Sequence, residues 1–132
     1  MTPFPLTTLA TVVALIVYFA LGFVVGGART RYGVEAPATT GHIEFEKRHR
    51  VHMNTLEQLA IMLPAAWLGI AALGDGITAA LVLLWCVGRI VYARAYYADP
   101  KKRSAGFGLT VLPVLVMVIG AVVSAVQTLF AV

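Results

Sequence analysis

Four long apolar stretches occupy most of this 132-residue chain and constrain its fold more than any motif does. Their only charged side chains are Glu57, Arg89 and Arg94, and they cover residues 6–27, 56–73, 77–97 and 107–132. About 20 helical residues cross the hydrocarbon core of a bilayer, and a helix satisfies its own backbone polar groups there. We therefore predict an all-α integral membrane protein, a bundle of four transmembrane helices.

The composition agrees with a membrane protein and excludes several other classes. Charged residues make up only 12% of the chain and apolar residues 60%. Soluble domains carry about 25% charged residues, and a small domain has a large surface to cover. A soluble monomer, a disordered chain and a nucleic-acid-binding module are therefore not expected, despite the net charge of +4. The one cysteine, Cys86, lies in an apolar run and is interpreted as a small buried residue.

The sequence also predicts where the helices begin and end within one domain, residues 1–132. The second helix should begin before the membrane, because residues 43–56 are polar but contain no glycine or proline. Within it, Pro64 should bend the helix or lie where neighbours satisfy the freed carbonyl. The third helix should end before Pro100, since the residue before a proline avoids the α region. The expected spans are about 6–27, 43–73, 77–97 and 105–130.

The basic residues predict the orientation in the membrane. If four helices alternate in direction, all ten lie on one side of the membrane or at the helix ends nearest it; they are Arg29, Arg31, Lys47, Arg48, Arg50, Arg89, Arg94, Lys101, Lys102 and Arg103. The opposite side carries only Asp75, in a Gly-Asp-Gly turn, and the two termini. The positive-inside rule then places both basic loops in the cytoplasm and both termini on the other side.

Polar side chains that are costly in a bilayer recur at helical spacing near the cytoplasmic boundary. Those of the second helix share one face of that helix, and so do those of the third. They are Arg50, Asn54 and Glu57 on the second helix, Arg89, Tyr92 and Tyr96 on the third, and Arg103 seven residues further on.

Such a set of side chains suits a small zwitterionic ligand with more than one carboxylate. Arginine binds carboxylates through two parallel hydrogen bonds, a buried glutamate matches an ammonium group, and asparagine and tyrosine add directional hydrogen bonds. Glutathione has two carboxylates, one ammonium group and one thiol, and other ligands share this chemistry. Internal pairing is the alternative, with Glu57 and Arg89 sealing the bundle. The histidines include an HxxH spacing at His49 and His52, but a metal site needs further ligands, so no metal is expected.

Two ordered motifs carry a family resemblance. Residues 50–57, Arg-Val-His-Met-Asn-Thr-Leu-Glu, resemble the second-helix motif of the MAPEG family, the membrane-associated proteins of eicosanoid and glutathione metabolism. Residues 88–92, Gly-Arg-Ile-Val-Tyr, are similar to its third-helix motif and are followed by Tyr96-Tyr97 and Lys102-Arg103-Ser104. The resemblance covers nearly the whole chain and is strongest to the third type of microsomal glutathione transferase.

The resemblance implies a membrane-bound glutathione transferase or peroxidase that assembles as a homotrimer. Glutathione would lie between neighbouring subunits near the cytoplasmic face, and a lipophilic electrophile or lipid hydroperoxide would arrive from the membrane. Arg103 matches the position that stabilises the thiolate in the leukotriene synthase of the family. The positions implied to bind glutathione are Arg50, Asn54, Glu57, Arg89, Tyr92, Tyr96 and His52.

Departures from the family pattern keep other functions open. Gln58 stands where the leukotriene synthase has a tyrosine, and Thr30 where it has an arginine, so the electrophile is less defined than the glutathione site. One alternative is a non-catalytic lipid-presenting protein on the same scaffold, which would not need the full polar set. Another is a small multidrug transporter, which would need an ionisable residue deep in a span, and the first helix has none. A packing protein without a ligand is the third.

Overall fold

The computed structural model describes residues 1–131, which contain long helices and no strand. Three helices are long and apolar enough to cross a membrane, and the all-helical fold class is confirmed. The elements are α1 over Pro5–Tyr32, α2 over Ile43–Ala98, a 3-10 turn over Pro100–Lys102 and α3 over Ser104–Phe130. Val132, the last residue of the fourth apolar stretch, lies outside the described residues.

The described part of the chain has three long helices where we expected four, because the two predicted middle helices form one element, α2. Its backbone leaves the helical region at Gly74, with φ 76° and ψ 167°, a conformation open to glycine because it lacks a Cβ. Pro64 lies within the helical run. Arg89 Nη2 is 2.9 Å from Asn54 Oδ1, whereas 35 residues of straight helix would span about 50 Å. The chain therefore folds back near Gly74, and α2 has an N-terminal arm before this glycine and a C-terminal arm after it.

Asp75, next to this break, caps the start of α1. Its carboxylate accepts hydrogen bonds from the backbone N–H groups of Leu6 at 3.0 Å and Thr7 at 2.8 Å. The Thr7 hydroxyl donates to the Asp75 carbonyl at 3.1 Å. The first N–H groups of a helix have no partner within the helix, and a negative charge is favourable there. The turn of α2 and the first turn of α1 are thereby joined.

Glycines let α3 approach α2 closely. A Cβ added to Gly106 would overlap the backbone of Tyr92, and one added to Gly88 would lie 2.9 Å from Leu109. The interior that these helices enclose is apolar and includes the fully buried side chains of Met62, Trp85 and Met117. The close contact at Gly106 places the first turn of α3 directly beside the C-terminal arm.

An ion-pair cluster connects the start of α2 to its end. The Glu44 carboxylate accepts hydrogen bonds from Lys47 Nζ and Arg48 Nη1, each at 2.8 Å. These bonds lower the pKa of the Glu44 carboxyl, which lies in the polar stretch at the start of α2 that we expect to precede the membrane. Lys47 also donates to the Tyr97 carbonyl at 3.3 Å, and the Arg48 guanidinium lies 4.9 Å from the centre of the Tyr97 ring. The two arms of α2 are therefore held together at the end opposite Gly74.

Candidate ligand-binding site

A cavity of about 450 Å³ opens between the two arms of α2 and the first turns of α3. This volume lies within the range of sites for small molecules. We call it the polar cradle; its lining residues are Arg50, Asn54, Tyr92, Tyr96, Arg103, Ser104, Phe107 and Gly108. Five of these were predicted from the sequence, and the two furthest apart, Arg50 and Arg103, are 53 positions apart in the chain. They meet in one cavity because the chain folds back at Gly74.

Glu57 lies beside the cradle and faces two of its residues. Its Oε1 is 3.7 Å from Arg50 Nη1, and its Oε2 accepts a hydrogen bond from Asn54 Nδ2 at 3.1 Å. The Arg50 and Glu57 side chains are 58% and 56% exposed, and exposed ion pairs of this kind contribute little to stability. Both charges can therefore rearrange to contact a ligand at small cost.

Arg89 lies behind the wall of the cradle and is fully buried. Its Nη2 donates to Asn54 Oδ1 at 2.9 Å and to Thr55 Oγ1 at 3.1 Å, and its guanidinium lies 4.1 Å from the centre of the Tyr92 ring. Within residues 1–131 its Nε and Nη1 atoms have no hydrogen-bond partner. A buried charge is costly unless it is paired, so its neighbours are strongly constrained.

The remaining predicted residues of the cradle are the two tyrosines Tyr92 and Tyr96, which form one wall, and Arg103, which lies at its mouth. The rings of Tyr92 and Tyr96 are tilted against each other with their centres 5.6 Å apart. Arg103 is exposed and directly precedes α3. The free N–H groups of a helix N-terminus carry partial positive charge, so this corner of the cradle combines a guanidinium with a helix end. Both favour an anion such as a thiolate.

His52 lies outside the polar cradle. It is two residues from Arg50, which is about 200° around a helix, and its ring stacks on Tyr18 of α1 with the ring centres 4.4 Å apart. A separate apolar groove of about 310 Å³ forms there, lined by Tyr18, Phe19, Gly22, Phe23 and His52. Within one chain, His52 thus lines a different cavity from the five predicted residues of the polar cradle.

Sequence reasoning missed the residues on α3 that extend the cradle. Phe107 and Gly108 line it in addition to Ser104. Phe107 follows Arg103 by four positions and is 41% exposed, so helical spacing could have indicated that they share a face. The cradle therefore has a charged end and a less polar end. No three His, Cys, Asp or Glu side chains among residues 1–131 are grouped to hold a metal ion.

The fold and the cradle define a class of protein: a multi-pass integral membrane protein with an arginine-lined site between its helices. The chain belongs to the MAPEG family, whose family model matches residues 7–123. This match covers both motifs and most of α3.

Relatives from a cyanobacterium and from mammals support this membership. The uncharacterized protein sll1147 of Synechocystis sp. is 46% identical over 116 residues, which are 88% of this chain and 85% of that protein. Human microsomal glutathione S-transferase 2 is 37% identical over 93 residues, 70% of this chain and 62% of the human protein. Leukotriene C4 synthase of Bos taurus is 30% identical over 93 residues, 70% of this chain and 61% of the synthase.

These comparisons support a glutathione-related membrane enzyme at the level of the family. The chain spans less than two thirds of the length of the human transferase and of the bovine synthase. The matched transferases are of the second type, so the resemblance to the third type stays a prediction.

Proposed function

We propose that this protein is a glutathione transferase that activates the glutathione thiol and joins it to lipophilic electrophiles, or uses it to reduce lipid hydroperoxides. The observation that carries the proposal is the meeting of two arginines, an asparagine and two tyrosines in one 450 Å³ cavity. The name of the human relative, microsomal glutathione S-transferase 2, supports glutathione as the thiol.

The charges of the cradle suit the charges of the tripeptide. Arg50 would bind a glutathione carboxylate, and Glu57 would bind the ammonium group. Asn54, Tyr92 and Tyr96 would donate or accept hydrogen bonds along the peptide. Arg89 acts from behind Asn54, to which it is bonded.

Arg103 is the proposed catalytic residue. A free thiol has a pKa of about 8.5, and lowering it by two units requires about 2.7 kcal/mol in favour of the thiolate. A guanidinium beside the sulfur, at the N-terminus of α3, supplies stabilisation of that order in a partly desolvated cavity. The thiol proton passes to water, the thiolate attacks the electrophilic carbon to form the S–C bond, and the leaving group departs with the electron pair of the broken bond.

The proposal includes the arrangement of the protein in the membrane. Each arm of α2 would cross the bilayer, which makes four crossings together with α1 and α3. The basic loops and the cradle would lie at the cytoplasmic boundary and both termini on the other side. In the homotrimer that the family implies, His52 would reach glutathione only across a subunit boundary.

Binding and turnover of the purified protein test this function. We expect glutathione to bind saturably in calorimetry in detergent, and a chlorodinitrobenzene-type electrophile to be conjugated with it. Glu57→Gln should weaken glutathione binding about tenfold, because the ammonium group loses its ionic partner. Glu46→Gln is the matched control: Glu46 lies on the same helix, but its Oε1 accepts from the Gly41 backbone N–H at 3.3 Å, whereas Glu57 contacts the cradle residues Arg50 and Asn54.

Two results would contradict the proposal. Absence of glutathione binding would exclude the transferase and the peroxidase together. Binding without turnover of any electrophile or hydroperoxide would favour a lipid-presenting protein on the same scaffold.

A further inference from the structure

Thr55 is a fully buried polar residue in the N-terminal arm, directly behind the polar cradle. Its hydroxyl donates to the Val51 carbonyl at 2.7 Å and lies 3.1 Å from Arg89 Nη2. A hydroxyl has one hydrogen, and a guanidinium only donates. Thr55 therefore accepts from Arg89 and gives its own hydrogen to the backbone, so both bonds have a defined direction.

The same nitrogen of Arg89 defines the orientation of the Asn54 amide. Because Nη2 donates, Asn54 must present its carbonyl oxygen, which lies at 2.9 Å. The Asn54 amide nitrogen then points the other way, and it donates to Glu57 Oε2 at 3.1 Å. In the flipped orientation the amide nitrogen would face the Arg89 donor and the amide oxygen would face the Glu57 carboxylate, which only accepts. Neither hydrogen bond could then form. One orientation of Asn54 is thus compatible with its neighbours.

Thr55 is one of two side chains that accept a hydrogen bond from Arg89 Nη2 within residues 1–131. The other is Asn54 itself, and Nε and Nη1 have no partner in that range. Asn54 is half-buried and lines the cradle, whereas Thr55 is buried and anchored to the helix backbone. Thr55 is therefore the fixed support of Arg89, and Arg89 in turn orients Asn54.

We propose that Thr55 is a positioning residue of the site: through Arg89 its hydroxyl keeps the Asn54 amide and the Glu57 carboxylate in the orientation that receives the ligand. This inference rests on the proposed function, since glutathione is the ligand whose binding reports the effect. Thr55 is not among the residues that line the cradle, so its influence on binding passes through its neighbours.

Two variants of Thr55 separate the hydroxyl from the shape of the side chain. Thr55→Val keeps the branched shape and removes the hydroxyl, and Thr55→Ser keeps the hydroxyl. We expect Thr55→Val to raise the Kd and KM for glutathione about tenfold, with kcat at saturating glutathione changed less than about twofold. Thr55→Ser should bind within about twofold of the wild type.

A double-mutant cycle with Asn54→Ala shows whether the effect passes through the amide. When Asn54 is already removed, Thr55→Val should change the Kd for glutathione less than about twofold. Full additivity of the two changes would overturn the proposal, because a general loosening of the helix would weaken binding in either background. Thermal unfolding of each variant in the same detergent accompanies the cycle.

The remaining outcomes are also decisive. If the wild type binds glutathione and Thr55→Val binds it equally well, this inference fails while the proposed function stands. If the wild type does not bind glutathione, the proposed function fails first. Should Thr55→Val not fold, Thr55→Ala is compared with Thr55→Ser by the same criteria. If neither Val nor Ala permits folding, Thr55 stabilises the scaffold and the positioning role is rejected.

Discussion

At the scale of single residues, the two arginines Arg89 and Arg103 have different roles because one is buried and the other is exposed. Arg89 is fully buried, and its hydrogen-bond partners are protein side chains. Arg103 is exposed at the mouth of the cradle. A buried guanidinium orients the side chains to which it is hydrogen-bonded. A guanidinium at a cavity surface can move toward a negative charge that forms on a ligand. Their substitutions should therefore have different effects.

Arg103→Ala should reduce conjugation strongly and leave glutathione affinity nearly unchanged. Loss of the charge beside the sulfur raises the thiol pKa, so the fraction of thiolate at pH 7 falls by roughly one to two orders of magnitude. The measurement is kcat and glutathione Kd, together with the pH dependence of kcat, which should shift to higher pH. Lys102→Ala, an exposed neighbour outside the cradle lining, is the control. Equal kcat in Arg103→Ala and wild type would remove Arg103 from the mechanism.

At the scale of elements, the contact of α3 with the C-terminal arm positions one wall of the cradle. Gly106→Ala should destabilise the protein, because the added Cβ would overlap the backbone of Tyr92. Overpacking of this kind costs about 1–3 kcal/mol. Gly26→Ala is the control, since a Cβ there meets nothing within 4 Å. Thermal unfolding in detergent compares them; a Gly106→Ala protein as stable as Gly26→Ala would contradict the described contact.

The cluster around Glu44 makes the stability of the protein depend on pH. Bonds from Lys47 and Arg48 lower the pKa of this carboxyl below its ordinary value of 4.5. Its contribution to stability is then fully present above about pH 4.5 and is lost as the pH falls through the lowered pKa of the folded state. Thermal unfolding at about pH 6 and pH 3 should show a larger loss of Tm for the wild type than for Glu44→Gln. Parallel losses in the two proteins would exclude a role for this carboxyl.

At the scale of the whole molecule, the asymmetry of charge predicts how the protein lies in the bilayer. Reporter cysteines in a Cys86→Ser background test it with a membrane-impermeant maleimide in sealed vesicles. Lys102→Cys should react only from the cytoplasmic side, and Gly76→Cys only from the other side. Both positions are exposed in the structure. Labelling of the two from the same side would reject the proposed topology.

Helical periodicity explains how much of this molecule could be predicted. Spacing placed Arg50 with Asn54 and Tyr92 with Tyr96, because neighbours on one helix face depend only on local geometry. The role of Thr55 was not predictable, since its partner Arg89 is 34 residues away and a single threonine beside the more polar residues of the motif has no distinguishing pattern. His52 shares a motif with the cradle residues but points to α1, and a motif does not specify which way each side chain faces.

The carboxylate of Asp75 has a consequence for biosynthesis. The residue that caps the start of α1 is made 43 residues after α1 itself ends at Tyr32. Until Asp75 and the break of α2 at Gly74 have formed, the amide groups of Leu6 and Thr7 have no carboxylate partner there and depend on water or lipid headgroups. The order of synthesis thus makes the capping of α1 a late step, because its first turn acquires the Asp75 carboxylate only after the 43 residues that follow Tyr32 have been made.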